Sequence, residues 1–352
     1  PSMKLIIDVD TGMDDAQALL LALRSPQAQV LAVTCIGGNV PLDLVVRNTR
    51  LVVAAANWPG QPAPRVFAGC SRPLVSDGDG EIRATHYHGS DGIAGAWEKL
   101  TSSDSTKSEV EAAVNSVPVE SMHAALGLIE LVSQNKGEVT LLALAPLTNI
   151  ALALRLEPRL GTWLRSLVVM GGAYQSMGNN ERHLSAEFNF VHDPEAARLV
   201  LHEMLPCPRL IVPYEACLES SLPFDWAITW AAGGNAADEP KPLWRRLHEL
   251  IVSHQCLMQR GQTFALTLAQ PLAYRSCDLL AASICLLPSV ASDVLEKRCT
   301  IELAGGVTRG QLVVDWFDKA DRGLSKVATV SARFVTKVAL DAYRALLFET
   351  LG

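Results

Sequence analysis

Short apolar runs that end in glycine, proline or a carboxylate alternate along this chain with longer segments whose apolar residues recur at helical spacing. The first run, Leu5-Ile6-Ile7-Asp8-Val9, stops at Asp10, turns through Gly12 and enters a segment rich in Ala and Leu. Residues 29–36 form a continuous run with β-branched positions, closed by Gly37-Gly38-Asn39, and a helix is predicted over about 42–56. Residues 65–69 add a short strand. Beyond residue 118 the alternation resumes, with helix near 120–134, strand over 138–145, helix over 150–156 and strands at 167–170 and 209–213. From there the pattern is mostly helical to about Leu287, broken around Gly233-Gly234-Asn235 and by the polar Ser276-Cys277-Asp278. Residues 299–303 and 311–316 predict a strand pair joined through Gly305-Gly306.

Continuous apolar strands separated by helices are the mark of parallel strands buried on both faces. The expected fold is therefore α/β: one domain over residues 3–352, built on a mostly parallel, open, Rossmann-like sheet. Helices cover both faces, with extra helices toward the C-terminus. Residues 71–118 interrupt the pattern. Asp77-Gly78-Asp79-Gly80 and residues 101–108 are polar and turn-forming, so a long loop excursion near the functional site is expected there.

Composition narrows the function classes. The chain has 352 residues, 49% of them hydrophobic, and a formal charge of −7 without any basic run, which argues against nucleic acid as a partner. Eight cysteines stand without a C-x-x-C pair, a pattern that fits a reducing cytoplasm better than a disulfide framework or a zinc site. A strand begins almost at once, so no secretory signal is expected, and no apolar run reaches the ~18 residues of a membrane span.

Chemistry concentrates at Asp8, Asp10, Asp14 and Asp15. Carboxylates so close together repel and raise one another's pKa, so the cluster calls for a cation. Its donors are hard oxygens, which favour Ca²⁺ or Mg²⁺ over zinc. Helix capping accounts for one or two of the acids and not for four. The first two lie at the carboxyl end of a buried strand, where open α/β sheets hold their ligands.

The motifs that follow occur in a telling order: Gly38-Asn39, His88-Gly89-x-Asp91-Gly92, Ala145-Pro146-Leu147-Thr148-Asn149, Met170-Gly171-Gly172 and Gly178-Asn179. Ala186-Glu187-Phe188-Asn189, Asp193-Pro194-Glu195-Ala196-Ala197, Cys277-Asp278 and Thr308-Arg309-Gly310 complete the series. With Asp8-x-Asp10-x-x-x-Asp14-Asp15 at its head, the chain resembles the nucleoside hydrolases, the calcium-dependent N-ribohydrolases, over nearly its whole length. The resemblance implies Ca²⁺ held by Asp10, Asp15, Asp278 and the backbone carbonyl of Leu144, with Asp10 as general base. It implies that Asp14, Asn179, Glu187 and Asn189 bind the ribose hydroxyls, with Asn39 nearby. The substrate would be a small ribonucleoside, and the assembly a homodimer or tetramer.

One position departs from the pattern. Where the inosine-uridine branch has a His before the last calcium-binding aspartate, and the purine-specific branch a Trp, this chain has Cys277. Its thiol is either the acid that protonates the departing base or a packed side chain. Tyr87, His88, Trp226, Trp230, His254 and Phe264 are candidates for the base pocket, although Trp226 and Trp230 at i,i+4 also fit one buried helix face. Two other functions compete. One is a calcium-dependent nucleoside-binding protein that has lost turnover; the other is a haloacid-dehalogenase-type phosphatase with Asp8 as nucleophile and Asp10 as acid.

Overall fold

The computed structural model describes residues 2–56, 62–75, 82–180, 182–233, 241–261 and 273–352. β1 (Met3–Val9) lies at the middle of the architecture because it is apolar on both faces: Leu5, Ile7 and Val9 enter one core and Ile6 the other. β2 (Ala28–Cys35), β3 (Arg65–Ala68) and β4 (Val119–Glu120) extend the sheet on one side of it. β5 (Val139–Ala143), β6 (Ser166–Met170) and β7 (Arg209–Val212) extend it on the other. The remaining strands are β8 (Ala291–Ile301), β9 (Leu312–Val314) and β10 (Val330–Val338), and the order across the sheet is β4-β3-β2-β1-β5-β6-β7-β10-β8-β9. Pairing is parallel from β4 through β10 and antiparallel for β10–β8 and β8–β9. The expected mixed α/β sheet flanked by helices is thus present.

This order has a functional consequence. From β1 the chain builds outward through β4, then returns to β1's other side to place β5. The strand order reverses there, and the carboxyl ends of β1 and β5 open a crevice between diverging connections. Asp10 follows one strand and Leu144 the other.

Several expectations need correction. Residues 82–118 are not one loop excursion but carry helices Thr85–His88, Ala96–Leu100 and Asp104–Asn115. Ser103, read as part of a turn, caps the last of these by accepting the Thr106 amide. That helix buries only Val110 and Val114, too few apolar positions for a clear period. The helix expected from 120 starts at Ala124, with His123 as its cap. β8 and β9 pair as expected, Cys299 opposite Val314, but β8 begins eight residues earlier, at Ala291. The long strand β10 was not foreseen: Ser331, Arg333 and Lys337 interrupt its apolar residues. Helix Phe224–Ala232 does end at Gly233, whose φ of 75° suits a residue without a side chain. Asp77–Gly80, Gly234, Asn235 and Phe264 lie outside the described residues.

Candidate active site

The turn after β1 is held by its own carboxylates. Asp15, in the first turn of helix Met13–Arg24, accepts the Asp10 amide through Oδ1 and the Gly12 amide through Oδ2, at 3.3 and 2.8 Å. Asp10 Oδ2 accepts the Asn39 amide at 2.7 Å, which ties the ends of β1 and β2 together. This packing leaves no room for side chains at the glycines. A Cβ on Gly38 would lie 2.0 Å from Asp10 Oδ2, and one on Gly12 would lie 2.6 Å from His88 Nδ1.

Asp278 completes the cluster from across the chain, at the first turn of helix Cys277–Leu286. Asp14, Asp15 and Asp278 each offer an oxygen within 4.8 Å of the others, a group that could hold a metal ion. Burial pushes the Asp10, Asp15 and Asp278 carboxyls up, and the neighbouring carboxylates push them further; Asp15 reaches about 7. Asp15 and Asp278 are within hydrogen-bonding reach of each other, so one proton there relieves the repulsion. Asp14 Oδ1 is buried with no hydrogen-bond partner, His88 Nδ1 lying 3.9 Å away. An orphaned oxygen among crowded buried carboxyls is the arrangement a divalent cation satisfies.

β5 and β6 supply the next layer. The Leu144 amide donates to Asp8 O at 2.9 Å, and its carbonyl accepts Asn189 Nδ2 at 3.0 Å. Asn189 Nδ2 also donates to Met170 O at 3.1 Å, fixing that side chain across two strand ends. Glu187 caps helix Phe188–His192 and accepts the amides of Gly172, Asn189 and Phe190. Burial still raises its carboxyl to about 7, against the pull of those amides. Asn179 accepts the Phe188 amide at 2.8 Å. Glu215, absent from the sequence reading, anchors the start of the loop that carries Asn179 by accepting the Tyr174 and Gln175 amides.

One cavity of about 440 Å³ joins these groups. Asp10, Asp14, Asn39, Leu144, Asn179, Glu187, Asn189 and Asp278 all line it, with Asp15 beneath them. Tyr87, His88 and Cys277 line it from the helical side. His88 Nδ1 accepts the Met13 amide at 3.0 Å, and burial lowers its pKa, so the ring is neutral with its proton on Nε2. Tyr87 stands edge-on to that ring, and its hydroxyl accepts Gln259 Nε2 at 2.7 Å. The Cys277 thiol hydrogen-bonds the thiol of Cys217.

Three base-pocket candidates fall elsewhere. Trp226 stacks on Trp230 at 5.6 Å, and buried Trp230 donates to Leu347 O, so this i,i+4 pair belongs to the core. His254, half-buried on helix Leu243–Gly261, does not line the cavity; Lys99 and Asp91 are its charged neighbours. Asp8 is also outside it. Fully buried, with its carboxyl raised by burial to about 7, it accepts Thr34 Oγ1 and Asn149 Nδ2, a placement that removes it as a phosphatase nucleophile. The cavity adds Tyr214, Gln259 and Arg275, which no motif marked. Tyr214 alone had a signal, since it follows β7 by two residues.

The carboxylates thus floor a crevice at the sheet's switch point, where open α/β sheets hold their ligands. The family model for inosine-uridine preferring nucleoside hydrolases matches residues 5–345, and the chain belongs to that family. It is 38% identical over 201 residues to the inosine-uridine preferring nucleoside hydrolase of Leishmania major, a match covering 57% of each protein. It is 34% identical over 206 residues to the pyrimidine-specific ribonucleoside hydrolase RihB of Escherichia coli (strain SE11), covering 58% of this chain and 57% of that one. The chain thus spans less than two thirds of these curated relatives' length. A solved inosine-guanosine nucleoside hydrolase matches 99% of this chain and 98% of its own at 27% identity, with a TM-score of 0.79. A plant nucleoside hydrolase, PpNRh1, shares the fold at a TM-score of 0.80 and 24% identity. Among the described residues no helix is long and apolar enough to cross a membrane.

Proposed function

We propose that the protein hydrolyses the N-glycosidic bond of ribonucleosides to free base and ribose. The observation that carries this reading is the convergence of Asp10, Asp14, Asp278, Glu187, Asn39, Asn179 and Asn189 on one cavity. Family membership and the substrates named for the relatives support it.

Asp10, Asp15, Asp278 and the Leu144 carbonyl would hold Ca²⁺, an all-oxygen donor set of the kind calcium takes. When bound, such a cation would supply a water of lowered pKa as the nucleophile. Asp10, oriented by the Asn39 amide, is the general base that takes the attacking water's proton. Asp14, Asn179, Glu187 and Asn189 hold the sugar hydroxyls, and their carboxylate and amide oxygens favour a ring that becomes cationic as the C–N bond lengthens. Asn189 suits that task because main-chain oxygens already fix its amide.

Incubation with inosine, adenosine, guanosine, uridine and cytidine, and with their 2′-deoxy counterparts, tests the reading. Free ribose is expected from the ribonucleosides and little sugar from the deoxy series, because a site built to bind a hydroxyl rejects its absence. Equal turnover of both series would remove the assigned ribose contacts. Binding without release of ribose from any nucleoside, at high enzyme concentration, would leave a calcium-dependent nucleoside-binding protein.

A further inference from the structure

We propose that Arg275 is the residue that activates the departing base, stabilising it as an anion rather than protonating it. The inference rests on the hydrolase reading above and concerns the opposite end of the same cavity.

Heterolysis of a C–N glycosidic bond leaves positive charge on the sugar and negative charge on the base. The cavity is polarised in the same sense. Its floor is lined by Asp10, Asp14, Glu187 and Asp278, and its helical wall by Tyr87, Tyr214 and Arg275. Tyr214, Cys277 and Tyr87 are all close enough to Arg275 to feel its charge. A guanidinium is charged at every working pH and donates in a fixed planar fork, so it suits the carbonyl oxygens of uracil and the 6-oxopurines.

The placement is built. Gln259 clamps the Arg275 backbone at two points, accepting its amide through Oε1 at 3.0 Å and donating from Nε2 to its carbonyl at 2.7 Å. The same Nε2 donates to Tyr87 Oη. Arg275 Nε donates to Ser221 Oγ at 2.7 Å, while Ser221 Oγ–H is spent on Leu218 O. Other cations on the cavity are placed differently: Arg83 Nη1 donates to the carbonyls of Gly38 and Val40, and Arg182 is exposed. The Cys277 sulfur is paired with that of Cys217.

In the step itself the C1′–N bond breaks, its electron pair stays on the base nitrogen, and Arg275 faces the resulting anion. Water oxygen bonds to C1′ and its proton passes to Asp10. Asp10 returns that proton to solvent, and the released base takes one up, which leaves ribose and neutral base as products.

The test compares inosine and uridine with 4-nitrophenyl β-D-ribofuranoside, whose nitrophenolate departs readily without help. Arg275→Met is expected to lower kcat/KM for both nucleosides by about 100-fold or more. The nitrophenyl riboside is expected to stay within about fivefold, since ribose contacts and water attack are untouched. Arg275→Lys, which keeps the charge but not the fork, should recover part of the nucleoside rate. An equal fall on all three substrates would make Arg275 a structural residue, and unchanged nucleoside turnover would remove its role; either overturns the proposal. Wild-type protein that cleaves neither nucleosides nor the nitrophenyl riboside would overturn the hydrolase reading itself, an outcome distinct from both.

Discussion

On the cavity floor, Asp10, Asp15 and Glu187 are held largely by main-chain amides of Asn39, Gly12, Gly172, Asn189 and Phe190. On the facing wall the holding is done by side chains: Gln259 donates to Tyr87 Oη and clamps the Arg275 backbone, and Arg275 Nε donates to Ser221 Oγ. Backbone donors at strand ends and helix N-termini persist as long as the fold does, so the floor's geometry is set by the sheet. Side-chain contacts that join helices Thr85–His88 and Leu243–Gly261 to the segments at Ser221 and Arg275 change with a single substitution. The floor is thus suited to chemistry shared by every substrate, and the wall to choosing among bases.

The contrast can be broken from either side. Asp10→Asn should be the most severe change, lowering kcat by about 10⁴-fold on every nucleoside, because it removes the proposed general base. Its melting temperature should not fall, since a raised, buried carboxyl becomes a neutral amide. Asn189→Ala should cost about 100-fold in kcat/KM, again whatever the base, by losing the proposed sugar contact and freeing the carbonyls of Leu144 and Met170. A loss confined to purines or to pyrimidines would contradict the assignment of Asn189 to the common floor.

A subtler effect follows from the carboxyls of Asp8, Asp15 and Glu187, each at about 7 in the folded chain. In the unfolded chain they titrate at about 4. Between those values the folded state holds more protons, so metal-free protein should lose stability as pH rises from about 4 through 7. Calcium held there as proposed would favour the ionised form of Asp15 and flatten that slope. Melting curves at pH 5 and 8, with chelator and with calcium, measure it; the same slope in both would separate Asp15 from the metal. Smallest in its effect on turnover is Trp226→Ala, which should leave kcat/KM within about twofold while lowering the melting temperature by a few degrees, as loss of a ring packed against Trp230 requires.

The floor was legible in the sequence because its elements are local. Asp10, Asp14 and Asp15 fall within one strand-to-helix turn, and apolar runs announce β1, β2, β5 and β6. Glu187, Asn189 and Asp278 come from farther along the chain, the first two in a recognisable segment. The wall offered a signal only around Tyr87-His88 and at Cys277. Tyr87, Tyr214, Gln259 and Arg275 meet only because helices distant in sequence pack together, and an aromatic or a Gln on a helix looks the same whether it faces a cavity or a core. Trp226 was read toward the cavity for that reason, while Arg275 went unmarked. β10 was hidden by polar residues alternating along a half-covered strand, and helix Asp104–Asn115 by a mostly exposed surface.

Product analysis under metal control tests the central claim most directly. The full chain, freed of metal with a chelator and then resupplied with Ca²⁺, is incubated with inosine while hypoxanthine and ribose are both quantified. Equimolar hypoxanthine and ribose, abolished by the chelator and restored by Ca²⁺, is the result expected of a carboxylate floor that holds the metal and the sugar together. Undiminished release in the presence of the chelator, or no release with calcium restored, would contradict it.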